Sequence, residues 1–78
     1  MRNAVMQVIV TFHTTAEAMA TEAACKARGF PGRLIPAPRS LSADCGLAWS
    51  SPAELRPALE QIIKQEKIEI AGICEMLR

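Results

Sequence analysis

The chain reads as one α+β domain with element order β-α-β-β-α-β, and three features of its 78 residues predict it. Met6, Val8, Val10 and Phe12 alternate through a β-branched run, the period-two signature of a half-buried strand. Two helix-start signatures recur, Thr14-Thr15-Ala16-Glu17 and Ser51-Pro52-Ala53-Glu54. Short β-rich runs then follow each predicted helix. Two right-handed βαβ crossovers in that order give a ferredoxin-like domain over residues 1–78, a four-stranded antiparallel sheet with both helices on one face.

Each element has its own justification. The first strand is expected over Val5 to Phe12. Thr14 then caps the first helix with Glu17 at the third helical position, and Ala16, Met19, Ala20, Ala23, Ala24 and Ala27 supply a small-residue face. Gly29 stops the helix in the left-handed region, and Pro31 prevents its continuation. Gly32 to Pro36 reads as a second strand and Gly46 to Ser50 as a third. Ser51 is expected to cap the second helix with Pro52 at its first position, and Leu55, Ala58, Leu59, Ile62 and Ile63 form its buried stripe. Pro57 conflicts with that start, because it removes a donor early in the second turn. Ile68 to Leu77 reads as the last strand.

Composition excludes several functions. Nine basic against eight acidic residues, without a basic run, give no footprint for nucleic acid or an anionic membrane. No apolar run approaches the ~18 residues of a membrane span, and no small-residue cleavage site marks a signal peptide. Three cysteines without metal-ligand spacing read as free thiols, which predicts a reducing, cytoplasmic setting and neither a metal nor another cofactor. Cys45 and His13 alone make a poor site for a transition-metal chaperone.

The connection Pro36-Ala37-Pro38-Arg39-Ser40-Leu41-Ser42-Ala43-Asp44-Cys45-Gly46 places one thiol in a polar, proline-bounded loop. In this topology the first two strands run parallel, so Cys45 is expected at the sheet edge beside His13, Thr14 and Thr15. A helix N-terminus there offers unpaired N–H groups and partial positive charge, which favour an anion or a thiolate. Arg39 and Arg33 add to that field, Asp44 opposes it, and Gly46 permits a sharp turn. Cys25 is expected to be exposed on the first helix, about 180° from Ala16, and Cys74 to pack along the last strand. His13 reads either as a loop hydrogen-bonding residue or as an acid–base partner for Cys45.

Phe12, Ala18-Met19, Glu22, Pro36-x-Pro38-Arg39 and Ser42-Ala43-Asp44-Cys45-Gly46 together resemble the selenium/sulfur carrier protein-like family over nearly the whole chain. The resemblance implies that Cys45 carries sulfur or selenium as a persulfide or selenenylsulfide. It implies a donor such as a cysteine desulfurase and an acceptor protein, in a carrier rather than a stand-alone enzyme. The chain lacks the Cys-Pro-x-Pro motif of sulfur-relay carriers, so their partners are not carried over. The alternative is a ferredoxin-like regulatory or interaction module with a structural Cys45. Function would then lie on an open sheet face bearing Val5, Ile9 and Ile73, and that face would permit a homodimer.

Overall fold

In a computed structural model, residues 5–41 and 45–77 are described. They form β1 (Met6–Thr11), α1 (Thr15–Ala27), β2 (Arg33–Pro36), β3 (Leu47–Pro52), a 3-10 turn (Ala53–Leu55), α2 (Arg56–Gln65) and β4 (Gly72–Leu77). The strands make one antiparallel sheet in the order β2-β3-β1-β4, with Thr11 opposite both Ala48 and Gly72. This is the expected ferredoxin-like arrangement.

Both helices cover one face. Val8, Val10, Phe12 and Trp49 meet Ala18, Ala24 and Cys25 of α1 and Leu59, Ile62 and Ile63 of α2. The capping box of α1 forms as its sequence requires, with Thr14 Oγ1 accepting from the Glu17 N–H. At the other end Gly29 takes φ +65°, and the N–H groups of Gly29 and Phe30 return to the Lys26 and Cys25 carbonyls. This is a complete Schellman stop.

The buried stripe of α1 differs from the expected one. Ala18, Thr21, Ala24 and Cys25 face the sheet, while Ala16, Met19, Ala20, Ala23 and Ala27 are exposed. Cys25 has no exposure at all. Alanine lies on the exposed side of this helix as well as on the buried side, so small residues alone do not select a face. The larger Thr21 and Cys25 fill the space under it, and the Thr21 hydroxyl is satisfied by the Glu17 carbonyl.

The second helix begins later than its serine–proline signature suggests. Ser51 and Pro52 complete β3, and the helix proper starts at Arg56. Pro57 therefore lies in the first helical turn, where its missing N–H would have no intrahelical partner, and the apparent conflict disappears. Ser51 is recruited elsewhere. Its buried Oγ accepts the Trp49 indole N–H at 2.6 Å and donates to the Pro31 carbonyl at 2.9 Å. Gly32 follows at φ +146°, and a side chain there would meet Ser51 Oγ, the Ser50 carbonyl and the Trp49 ring. The last strand is also shorter than expected, because Ile68 and Ile70 pack on the helix-side core before β4 begins.

The helix-free face is not open. Ile9, Ile35 and Ala48 are buried there beneath Ala37, Leu41, Cys74 and Met76. Of the residues expected to line an exposed face, only Val5 is exposed, at 52%. Ile9 has no exposure, and Ile73 pairs with Val10 and points to the helix side.

Two stability outcomes follow from these contacts. Ser51→Ala strands a buried indole N–H and a carbonyl, so urea denaturation should show a loss of about 1–3 kcal/mol. Lys67 is the residue at which α2 stops, and it holds φ +55° while its N–H and that of Ile68 return to the Lys64 and Ile63 carbonyls. Lys67→Gly relieves that left-handed strain and should raise stability by up to about 1 kcal/mol in the same measurement.

Candidate functional site

The β2–β3 connection is closed at its base by one backbone bond, Ala37 N–H to the Gly46 carbonyl at 2.9 Å. Pro36 ends the edge strand β2, where a residue without an N–H is tolerated. A turn follows in which the Leu41 N–H reaches the Pro38 carbonyl at 2.9 Å. It leaves Arg39 exposed and sends Leu41 to the helix-free face. Residues 42–44 lie outside the described residues, and with them the expected effect of Asp44. Cys45 then packs, half-buried, against the helix-side core, and its thiol donates to the Leu47 carbonyl with Sγ···O 3.5 Å. Gly46 holds φ +74° in open surroundings, so backbone conformation rather than crowding calls for glycine here.

Antiparallel pairing sets the end of the sheet at which these residues gather. Thr11 lies opposite Ala48, two residues before His13 on one strand and three after Cys45 on the other. His13, Thr14 and Thr15 are exposed at this end, as is Arg39. Arg33 does not join them. It pairs with Ser50, three ladder positions or about 10 Å from Leu47.

The end of α1 already holds an anion of its own. Glu17 Oε1 accepts from the backbone N–H groups of His13 at 2.9 Å and Thr14 at 3.3 Å. The first-turn donors left to a visiting anion are those of Thr15 and Ala16. The Glu17 carboxylate also offsets part of the positive end of the helix dipole. A capping box is legible in sequence, but its acidic member also competes for the anion site that the same helix end would provide.

The three thiols occupy distinct settings. Cys25 is sealed under α1. Burial pushes its pKa up, and the nearby Arg28 guanidinium offsets only part of that shift. Cys74 sits opposite Ile9 on the helix-free face, partly covered beside Leu41 and Met76. Cys45 alone belongs to the connection at the sheet edge. Among the described residues no three His, Cys, Asp or Glu side chains converge on a metal position. Among the same residues no helix is long and apolar enough to cross a membrane.

A family model described as "Putative Se/S carrier protein-like" matches residues 7–75, and the chain belongs to that family. The match takes in both helices, β2, β3 and the whole Cys45 connection. No curated protein and no solved structure matches the chain.

The raised pKa of Cys25 has a measurable sign. Above the ordinary thiol value of 9.0 the unfolded chain loses this proton while the folded chain keeps it, so the folded state binds more protons. Stability should therefore fall as pH rises from about 9 toward the folded pKa. Cys25→Ala should flatten that part of a denaturation-versus-pH curve. An unchanged slope in the variant would assign it to other groups.

Proposed function

We propose that this member of the selenium/sulfur carrier-like family carries its cargo on Cys45, receiving it from a donor protein and passing it to an acceptor. The supporting observation is the setting of the thiol. Cys45 lies at the end of a connection closed by the Ala37–Gly46 bond, on the sheet edge shared with the first turn of α1. It is followed by an exposed glycine with open space around it. Cys25 has no such access.

The transfer needs no outside oxidant. The Cys45 thiolate attacks the outer sulfur of a donor persulfide, R–S–S–H. A new S–S bond forms to Cys45, the donor S–S bond breaks, and the donor leaves as a thiolate that takes up a proton. The product is Cys45–S–S–H, and an acceptor thiol removes its outer sulfur by the same exchange. Selenium as the outer atom follows the same balance and gives a selenenylsulfide. The N–H groups of Thr15 and Ala16 and the exposed Arg39 are the groups that would steady the outer anion. Gly46, His13 and Thr14 shape the surrounding rim. The Glu17 carboxylate limits how firmly an anion is retained, which suits a group that must be released. A cysteine desulfurase is a donor of the required chemistry.

The test is intact-mass measurement after incubation with a cysteine desulfurase and free cysteine. The wild-type chain and Cys74→Ser should gain the mass of one sulfur atom, removable by dithiothreitol, and Cys45→Ser should gain none. An unmodified wild type, or an equal gain on Cys45→Ser, overturns the proposal.

A further inference from the structure

We infer that β4 pairs edge to edge with β4 of a second copy of this chain, antiparallel and centred on Glu75, to make one continuous sheet. The inference goes beyond the carrier reading and does not depend on it.

The two edges of the sheet are built differently. β2 spans four residues, ends on Pro36 and exposes Arg33. A missing donor, a cation and a short length all discourage strand addition. β4 spans six residues, and among the described residues β1 is its one strand neighbour. It contains neither proline nor a basic residue. An edge strand turns half of its N–H and C=O groups outward, where another strand can take them.

The side chains of β4 are largely apolar on both faces. Ile73 and Leu77 lie opposite Val10 and Met6 on the helix side, and Cys74 and Met76 opposite Ile9 and Gln7 on the other. None is fully covered. Ile73, Cys74 and Met76 are half-buried, and Leu77 is 65% exposed. A two-fold axis at Glu75, perpendicular to the sheet, sets Ile73 against Leu77 of the second copy and Cys74 against its Met76. Each apolar group then meets another on its own face. A centre at Cys74 would instead set Ile73 against Glu75.

Glu75 is the one charge on the strand, and two carboxylates at the axis would repel if left alone. They are not alone. Arg56 Nη1, from the first turn of α2, donates to Glu75 Oε2 at 2.9 Å. The axis therefore gathers two carboxylates between two guanidinium groups, a complementary arrangement of charge. Paired residues 73–77 form a seam about 17 Å long, smaller than the interface of a permanent dimer, so pairing is concentration-dependent. β1 separates β3 from this seam, which leaves the Cys45 connection of each copy clear of it.

The experiment is sedimentation equilibrium under reducing conditions, from about 10 µM to about 1 mM. The wild-type mass should rise from monomer toward dimer across that range. Leu77→Lys, at an exposed position, sets a cation against Ile73 of the second copy and should weaken association at least about tenfold. A monomer at every concentration overturns the inference and leaves the edge to a strand from another protein. A dimer that Leu77→Lys does not weaken is held elsewhere and also overturns it. The register is read from Glu75→Cys and Leu77→Cys, each with Cys45→Ser and Cys74→Ser, in a glutathione redox buffer. Glu75→Cys should form a disulfide with its own copy, whereas the two Leu77→Cys positions lie about 14 Å apart and should not. Cross-linking of Glu75→Cys no greater than that of Leu77→Cys overturns the assignment.

Discussion

The structure depends on one constraint: β1 must be dry on both faces while helices cover only one. Val8, Val10 and Phe12 meet the helices, and Ile9 between them has no exposure either. Burying an isoleucine fully is worth about 1.5–3 kcal/mol, a sizeable share of the stability of a domain this small. With both helices on the other side, the cover must come from neighbouring strands and from the β2–β3 connection. Among the described residues Cys74 and Met76 supply part of it, and Ala37 and Leu41 another part. That requirement draws Ala37 and Leu41 of the connection onto the helix-free face, while Cys45 near its other end packs on the helix side.

The electrostatics of the site are correspondingly moderate. The first turn of α1 offers its usual positive end, but Glu17 satisfies two of the nearby donors and supplies a permanent negative charge. The Cys45 proton rests on a backbone carbonyl.

Element order and most boundaries were legible because they depend on local chemistry. The alternation in β1, the Thr14–Glu17 box and the Gly29 stop each contain their own cause within a few residues. The failures share a different origin. The Ser51-Pro52 signature is locally a helix start, yet the Trp49 indole and the Pro31 carbonyl need that hydroxyl, so β3 runs on through it. The face of α1 was illegible because alanine lies on both its exposed and its buried side, and burial fell to Thr21 and Cys25, which fill space that alanine leaves empty. The expected open face was misread because nothing local announces that Leu41 folds back over Ile9. For the site, topology places Cys45 and the start of α1 at one end of the sheet from sequence alone. The additional hold of Glu17 on the His13 N–H and the distance of Arg33 are visible only in three dimensions.

The β2–β3 ladder also differs from its neighbours in how it can come into being. It joins strands adjacent in the chain, with Ala37 and Gly46 only nine positions apart, whereas Thr11 must find Gly72 across 61. Closing the shorter loop costs about 1.5–2 kcal/mol less chain entropy. The cysteine-bearing connection is thus the hairpin turn around which the sheet can most cheaply assemble, and β1 and β4 add by long-range closure. Sequence changes that reshape the surroundings of the thiol therefore act on the rate at which the molecule forms as well as on its finished chemistry.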